Sequence, residues 1–195
     1  MEDIKAMKRR NLEIVAKRLE SLTKKELDKK YKTIENRLFE FANFFEAQMV
    51  SLYISAVNEI PTENIIKKTL GIEKGVVFPV LTDSKNVIKL YRINNYGKDI
   101  VKNSKGILKP AIDRCKEIAL DDINVALIPG LVFDDKGGRI GRGDKFFTRL
   151  IGRLPETCRK ISLAYEEQIV DQIQMESRKT SVDIIITDKK VIYKI

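Results

Sequence analysis

A glycine-rich segment, residues 129–149, reads PGLVFDDKGGRIGRGDKFFTR. Four of its glycines fall within the seven residues 137–143. Glycine lets backbone amides approach an anion closely and adopts positive φ without strain. The second half of the segment carries cationic side chains at Arg139, Arg142, Lys145 and Arg149. This pattern is typical of a phosphate- or carboxylate-binding loop, and a plain glycine-rich turn is the alternative that the residues alone leave open.

The segment lies between a predicted strand and a predicted helix. Residues 124–128 are a compact apolar run typical of a buried strand, and residues 143–153 have a helical pattern. The first turn of a helix presents unpaired N–H groups and a partial positive charge, which favours a bound anion. We therefore expect an anion site where the strand, the glycine-rich loop and the helix meet.

The rest of the chain alternates predicted helices and strands. One helix is predicted for residues 3–22. A second begins at a capping box, Thr23-Lys-Lys-Glu26, and a third runs from an N-cap at Thr62 to Leu70. Further strands are predicted at residues 49–55, 75–81, 86–93, 160–164, 182–187 and 190–195, with a turn at 83–86 and irregular structure at 96–114. This alternation predicts an α/β fold, in which a mostly parallel sheet carries helices on both faces. We predict a single three-layer domain over residues 1–195, with N-terminal helices at 1–47 and the sheet core at 48–195.

One apolar stripe is predicted on the second helix. Its members repeat at spacings of four and three: Leu27, Tyr31, Ile34, Leu38, Phe41 and Phe45. Such a stripe faces the core of a globular protein, so we interpret it as packing rather than as a cofactor site.

The composition excludes several classes of function. The chain has no histidine, which excludes Ser-His and Cys-His nucleophile pairs and histidine-ligated metals. Cys115 and Cys158 are too few for a disulfide framework or a zinc site, and we expect them to pack. The net charge of +9 is spread along the chain instead of forming one stripe, so nucleic-acid binding ranks last.

No apolar run reaches the ~20 residues of a membrane helix, no signal peptide is visible, and we expect a cytoplasmic protein.

The first half of the glycine-rich segment resembles the signature of the 5-formyltetrahydrofolate cyclo-ligase family. The matching positions are Pro129-Gly130, Phe133-Asp134, Gly137, Arg139, Gly141 and Gly143. Weaker similarities follow the family's order along the chain: Lys5 with Arg9, the run from Tyr53 to Thr62 with Glu59, and Gln168 to Val170. The resemblance implies the α/β fold that cyclo-ligases share with ribose-phosphate isomerases and CoA transferases.

The resemblance also implies an ATP-dependent ligase, a monomer or weak dimer with ATP and a reduced formyl-folate as its partners. In the family's reaction, ATP phosphorylates the formyl oxygen of 5-formyltetrahydrofolate, N10 attacks, and phosphate leaves to give 5,10-methenyltetrahydrofolate. Phosphoryl transfer needs positioning and charge neutralisation more than a nucleophilic side chain, which suits a chain without histidine. The residues assigned to catalysis are Glu59, Arg142 and Lys145. Those assigned to ATP are Lys5, Arg9, Arg139, Gly141, Arg142, Gly143, Asp144 and Lys145, and those assigned to folate are Tyr53, Glu59 and Phe147.

The second half of the segment departs from the family pattern. That pattern has glycine where Lys145 stands, tyrosines at Phe146 and Phe147, and a metal-binding Asp at Thr148. A second metal-binding Asp aligns with Lys179, and a Glu aligns with Lys109. Because Mg²⁺ prefers carboxylate, phosphate and water oxygens, the family's Mg²⁺ is doubtful in this chain. Three of the replacements are lysines, and we hypothesise that their ammonium groups offset anionic charge in place of Mg²⁺; the alternative is that they face solvent.

Two functions therefore stay open on the sequence. The first is a divergent cyclo-ligase that converts 5-formyltetrahydrofolate. The second is a relative that binds a folate, a nucleotide or another anion without the Mg²⁺-dependent chemistry. Lys5, Arg9, Glu59, Arg139 and the glycines favour the first, which we take as the main expectation. The lost carboxylates and the two phenylalanines favour the second, which stays the alternative.

Overall fold

A computed structural model of the chain describes residues 4–82, 87–104, 106–143, 145–174 and 180–194. Its helices are α1 (Ile4–Glu20), α2 (Lys24–Glu40), α3 (Ala42–Glu46), α4 (Glu63–Gly71), α5 (Tyr96–Asp99) and α6 (Phe146–Ile151). Its strands are β1 (Met49–Ser51), β2 (Gly75–Leu81), β3 (Ile88–Ile93), β4 (Ile100–Lys102), β5 (Leu108–Pro110), β6 (Lys116–Ile118), β7 (Val125–Leu127), β8 (Val132–Phe133), β9 (Arg139–Ile140), β10 (Arg159–Leu163), β11 (Ile184–Ile186) and β12 (Val191–Tyr193).

The central sheet has the strand order β12-β11-β10-β7-β1-β2-β3-β6 within the described residues. The strands from β11 to β2 pair in parallel, while β12 at one edge and β3 and β6 at the other pair antiparallel. Parallel neighbours need a crossover connection, which α4 provides between β1 and β2 and α6 provides between β7 and β10. The predicted mostly parallel α/β sheet is therefore confirmed.

Two apolar clusters cover the two faces of the sheet. Successive strand residues alternate between them, because side chains on a strand point to opposite faces: Val125 and Leu127 belong to one cluster, Ala126 to the other. Helices α2, α3 and α4 contribute to the first cluster, and α6 contributes to the second. This arrangement confirms helices on both faces.

Helix α2 begins where it was predicted to begin, but it ends earlier than predicted. The Thr23 amide donates to Oε2 of Glu26 at 2.8 Å, and the Glu26 amide donates to Oγ1 of Thr23 at 3.3 Å, which forms the predicted capping box. The helix ends at Glu40, and α3 then starts a new phase. As a result Phe44 is fully buried while Phe45 is 68% exposed, so the placement of Phe45 on the apolar stripe is wrong.

The prediction of irregular structure over residues 96–114 is also wrong. Helix α5 is followed by an antiparallel hairpin of β4 and β5. Oδ1 of Asn95 accepts from the Lys98 amide at 3.0 Å and caps α5. The strands are three residues long, too short to give a readable alternation. The turn predicted at 83–86 lies outside the described residues.

The cysteines pack as predicted. Cys158 is fully buried in the second cluster, and Cys115 packs against the first. Burial raises the pKa of the Cys158 thiol to about 12, so it stays protonated at neutral pH. No helix in the described ranges is long and apolar enough to cross a membrane.

Candidate active site

The segments that follow β1 and β7 meet at the carboxyl edge of the sheet. These two strands are parallel neighbours. The chain leaves β1 through α4 toward β2 on one side, and it leaves β7 through α6 toward β10 on the other. Ligands of open α/β sheets bind where neighbouring connections diverge in this way. The topology therefore places a crevice beside Pro129, at the start of the glycine-rich segment.

A cavity of about 260 Å³ lies in this crevice. Its described lining comprises Lys8, Glu59, Pro129, Arg139, Ile140, Gly141, Arg142, Gly143, Lys145, Phe147, Thr148, Gln174 and Thr180. All three residues assigned to catalysis are among them, together with much of the predicted ATP set. In the described lining, the cationic side chains are Lys8, Arg139, Arg142 and Lys145, and the acidic one is Glu59. This excess of positive charge suits an anionic ligand.

Arg139 is held in this cavity by contacts of its guanidinium to a backbone carbonyl and to a hydroxyl. Its Nη1 donates to the carbonyl of Pro129 at 2.7 Å, and its Nη2 donates to Oγ1 of Thr148 at 3.2 Å. A Cβ on residue 141 would overlap the guanidinium, so Gly141 leaves the space that it fills. The planar guanidinium thus bridges the end of β7 and the helix α6.

Arg142 and Lys145 lie at the exposed rim of the cavity. Nη1 of Arg142 donates to the Val57 carbonyl at 3.4 Å and so connects the glycine-rich segment with the loop after β1. Lys145 has φ 57° and ψ 3°, a left-handed conformation. This conformation delays the helix, which begins at Phe146; its predicted start at Gly143 is wrong, as is its predicted end at residue 153. Asp144 lies outside the described residues.

Asp134 holds the glycine-rich hairpin together from the inside. Its carboxylate is buried, and it accepts from the amides of Lys136 at 3.1 Å, Gly138 at 2.6 Å and Ile173 at 2.7 Å. Gly137 takes φ 76° in the same turn. The Phe133-Asp134 pair therefore shapes the loop in this structure, because the carboxylate oxygens of Asp134 accept hydrogen bonds from backbone amides.

The buried side chain of Gln168 ties a second loop to the same hairpin. Its Nε2 donates to the Leu131 carbonyl at 3.0 Å, and its Oε1 accepts from the Tyr165 amide at 2.9 Å. The amide of Val170 donates to the Phe133 carbonyl at 2.8 Å. The run from Gln168 to Val170 thus has a scaffolding role.

Glu59 enters the cavity from the loop after β1. Its Oε2 accepts from the Ala56 amide at 2.9 Å, which closes a tight turn. Thr62 fastens this loop to the strand end, because its Oγ1 donates to the Tyr53 carbonyl at 2.6 Å and accepts from the Ser55 amide at 3.0 Å. Thr62 occupies the N-cap position of α4, but its hydroxyl makes no capping bond, which corrects the predicted role.

An aromatic partition separates this cavity from a neighbouring one. The rings of Phe147 and Tyr53 meet edge to face, with centroids 6.2 Å apart. Both rings line a second cavity of about 480 Å³, which also contacts Phe78, Lys109 and Pro110. Burial raises the pKa of the Tyr53 phenol, so this hydroxyl is protonated at neutral pH. Of the residues assigned to folate, Phe147 therefore lines both cavities, Glu59 lines the first and Tyr53 lines the second.

Helix α1 contributes Lys8 to the lining of the first cavity. Its apolar face packs on the β8–β9 hairpin through Leu12, Val15 and Leu19. Lys8 lies one turn before Leu12 on that face, which is the periodic signal that could have identified it. Lys5 and Arg9 are exposed and do not line the cavity in the described residues, and Arg9 pairs with Glu13 at 3.8 Å. Sequence reasoning also missed Gln174 and Thr180, which belong to no periodic pattern.

A sequence model of the 5-formyltetrahydrofolate cyclo-ligase family matches residues 3–188. The chain belongs to this family. It is similar to a probable 5-formyltetrahydrofolate cyclo-ligase of Caenorhabditis elegans, with 26% identity over 202 residues that cover 98% of each chain. The membership confirms the predicted family resemblance and identifies the chain as a ligase of folate metabolism.

Solved structures of cyclo-ligases confirm the fold. The NMR structure of 5,10-methenyltetrahydrofolate synthetase from Aquifex aeolicus superposes with a TM-score of 0.80 at 23% identity, covering 96% of this chain and 92% of that one. The 5,10-methenyltetrahydrofolate synthetase of Mycoplasma pneumoniae superposes with a TM-score of 0.67 at 19% identity, covering 96% and 99%.

The described residues do not fit a carboxylate-held Mg²⁺. They contain no group of three or more His, Cys, Asp or Glu side chains that could hold a metal ion. Thr148 is the residue that we predicted to stand in place of a metal-binding Asp, and its hydroxyl accepts from the Arg139 guanidinium, so a cation lies beside it. The second such position, Lys179, lies outside the described residues. We therefore derive no step through a metal.

Proposed function

We propose that this chain catalyses the ATP-dependent conversion of 5-formyltetrahydrofolate to 5,10-methenyltetrahydrofolate, with release of ADP and phosphate. The cationic cavity at the β1–β7 crevice, which adjoins an aromatic cavity across Phe147, is the observation that carries this proposal. An anionic nucleotide and a flat, partly apolar folate require two such compartments in contact. Membership in the cyclo-ligase family supports the same pairing.

The first cavity takes the triphosphate of ATP. Arg139 presents a fixed planar cation, and guanidinium groups recognise phosphate oxygens through paired donors. Arg142 and Lys145 approach from the exposed rim, and Lys8 approaches from α1. Gly141 and Gly143 keep the backbone close to the ligand, because they carry no side chain. Lys5 and Arg9 of α1 remain candidates for the outer part of the nucleotide.

The second cavity and its junction with the first take the folate. The Tyr53 and Phe147 rings offer an aromatic surface for the pterin. Glu59 borders the first cavity, which Phe147 also lines, and its carboxylate accepts N–H groups of the substrate. The 5-formyl group then lies at the junction, within reach of the γ-phosphate.

The chemistry consists of two displacements. The formyl oxygen attacks the γ-phosphorus, the bond to the bridging oxygen breaks, and ADP leaves. N10 of the folate then attacks the activated formyl carbon and loses its proton to solvent, and the carbon–oxygen bond breaks to release phosphate. Arg139, Arg142 and Lys145 stabilise the charge that develops on the phosphoryl oxygens, which is the main catalytic requirement of such a transfer.

The test is spectrophotometric. The chain is mixed with 5-formyltetrahydrofolate, ATP and Mg²⁺, and the methenyl-folate absorbance and the ADP concentration are followed together. We expect one ADP for each methenyl product. A folded protein that forms no methenyl-folate would overturn the proposal.

The Arg139–Thr148 hydrogen bond favours a second candidate, a relative that binds folate or ATP without catalysing the reaction. A hydroxyl replaces the acidic group of the family pattern beside a phosphate-binding arginine. If this candidate is correct, ATP and 5-formyltetrahydrofolate each raise the melting temperature of the chain, while methenyl-folate never forms. Turnover at any rate above a heat-denatured control excludes it.

A further inference from the structure

The described lining of the first cavity carries more positive than negative side chains. Among its described lining residues, Lys8, Arg139, Arg142 and Lys145 are cations and Glu59 is the acid. One oxygen of that acid already accepts from the Ala56 amide at 2.9 Å. A divalent cation entering this cavity would meet repulsion from several sides with few anionic ligands, whereas a highly charged anion would be attracted.

The Arg139–Thr148 contact places a fixed cation at the point where the family pattern has a metal-binding carboxylate. The Pro129 carbonyl orients the guanidinium by accepting from Nη1 at 2.7 Å, and Gly141 leaves room for it. Nη2 donates to the Thr148 hydroxyl, which is a neutral oxygen and does not cancel the charge. This contact therefore sets the guanidinium beside a neutral hydroxyl in the lining of the cavity.

Lys145 adds a second cation, and its backbone adopts a disfavoured conformation. Its φ of 57° lies in the left-handed region, which is unfavourable for a residue with a Cβ. Residues held in such conformations cluster at functional sites, where the surrounding structure maintains them. A glycine, which the family pattern has at this position, would adopt this conformation without strain. Lysine adopts it with strain but places an ammonium group at the cavity rim.

We propose that this chain binds ATP in its metal-free form, with these side-chain cations neutralising the triphosphate in place of Mg²⁺. The inference rests on the proposed function, because it takes ATP as the ligand of the first cavity. Metal-free ATP carries two more negative charges than its Mg²⁺ complex. The cationic cavity binds it more tightly for that reason, and added Mg²⁺ competes with the protein for the same phosphate oxygens.

Calorimetric titration of the full chain with ATP tests this directly. One titration contains EDTA and the other contains saturating Mg²⁺. We expect the dissociation constant in EDTA to equal or fall below that in Mg²⁺. Binding that requires Mg²⁺ would overturn the inference and leave the proposed function standing. Absence of ATP binding in both titrations would overturn both.

Two substitutions at one position sharpen the test. Thr148→Asp places a carboxylate beside the guanidinium, while Thr148→Asn is a neutral match of similar size. We expect the Asp variant to weaken metal-free ATP binding at least tenfold relative to the Asn variant, and Mg²⁺ to recover part of this loss. Equal affinities for the two variants, both folded by circular dichroism, would overturn the inference.

Discussion

Nη2 of Arg139 donates to Oγ1 of Thr148 across 3.2 Å, which joins the glycine-rich hairpin to helix α6 inside the cationic cavity. The same guanidinium donates from Nη1 to the carbonyl at the end of β7. One side chain thus connects three parts of the site. The geometry explains why an arginine, with two parallel donors on a rigid plane, stands at this position.

Arg139→Lys should weaken ATP binding although it keeps the charge. A lysine ammonium on a flexible stem cannot hold Pro129 and Thr148 in the fixed geometry of the guanidinium. We expect the dissociation constant for ATP to rise about tenfold, as is typical when a forked phosphate contact is lost. Arg149→Lys is the matched control, because Arg149 is exposed on helix α6 and does not line the cavity in the described residues. Equal affinities of the two variants in calorimetry would contradict the role of Arg139.

Lys145→Gly should be more stable than Lys145→Ala. Both variants remove the ammonium group, but only glycine adopts the observed φ of 57° without steric cost. We expect the free energy of unfolding in urea to be about 1 kcal/mol higher for the glycine variant. Both should bind ATP more weakly than the wild type and to a similar extent. An alanine variant as stable as the glycine variant would show that the backbone of residue 145 is unstrained.

Asp134→Ala should destabilise the fold strongly. The substitution leaves the amides of Lys136, Gly138 and Ile173 without their carboxylate acceptor, and two of these residues are buried. Buried donors without partners cost about 1–3 kcal/mol each, so we expect a loss of about 3 kcal/mol in the free energy of unfolding. Asp135→Ala, at the exposed neighbouring position, should change it by less than about 0.5 kcal/mol. Similar losses for both variants would refute the scaffolding role of Asp134.

Asp188 should make stability depend on pH in the acid range. Burial alone raises the pKa of its carboxyl, but hydrogen bonds from Lys30 at 2.7 Å and from the Glu166 amide at 2.9 Å outweigh burial and hold the pKa below its ordinary value. A carboxyl whose pKa is lower in the folded state stabilises the fold above its unfolded pKa, and this contribution is lost as the pH falls through the folded pKa.

The measurement compares wild type with Asp188→Asn by urea denaturation at several pH values. The difference in the free energy of unfolding should be constant above about pH 5 and should shrink below about pH 4, the ordinary range of an aspartate. Asp121→Asn, at an exposed position, serves as the control. A difference between wild type and Asp188→Asn that does not change with pH would contradict the pairing with Lys30.

The regular elements of the fold were predictable where the sequence contained a long apolar run or a capping motif. The capping box at Thr23 and the strand Gly75–Leu81 appear as predicted, because a local hydrogen-bond pattern and a long apolar run each specify one structure. Phe45 was misplaced because the chain breaks at Phe41, where ψ is 120°, and this break changes the helical phase. The β4–β5 hairpin was missed because its short strands are selected by pairing rather than by their own composition.

The site was predictable as a set of residues but not as an arrangement. The glycines and arginines of the 129–149 segment indicated an anion site, and they line the cationic cavity. Lys8 was missed because its position depends on how α1 packs against the β8–β9 hairpin. This hairpin lies more than 120 residues after Lys8 in the sequence. The roles of Asp134 and Gln168 could not be separated from ligand binding in the sequence, since buried hydrogen bonds to distant amides leave no local signal.

The proposed reaction is tested most directly by following the formyl oxygen. The chain is incubated with ATP, Mg²⁺ and 5-formyltetrahydrofolate that carries ¹⁸O in its formyl group, and the released phosphate is analysed by mass spectrometry. A parallel reaction contains EDTA in place of Mg²⁺, so that the outcome does not depend on which form of ATP the chain binds. We predict one ¹⁸O in each phosphate and one methenyl-folate for each ADP. Phosphate without the label, or folded protein that yields no methenyl-folate, would contradict the proposed function.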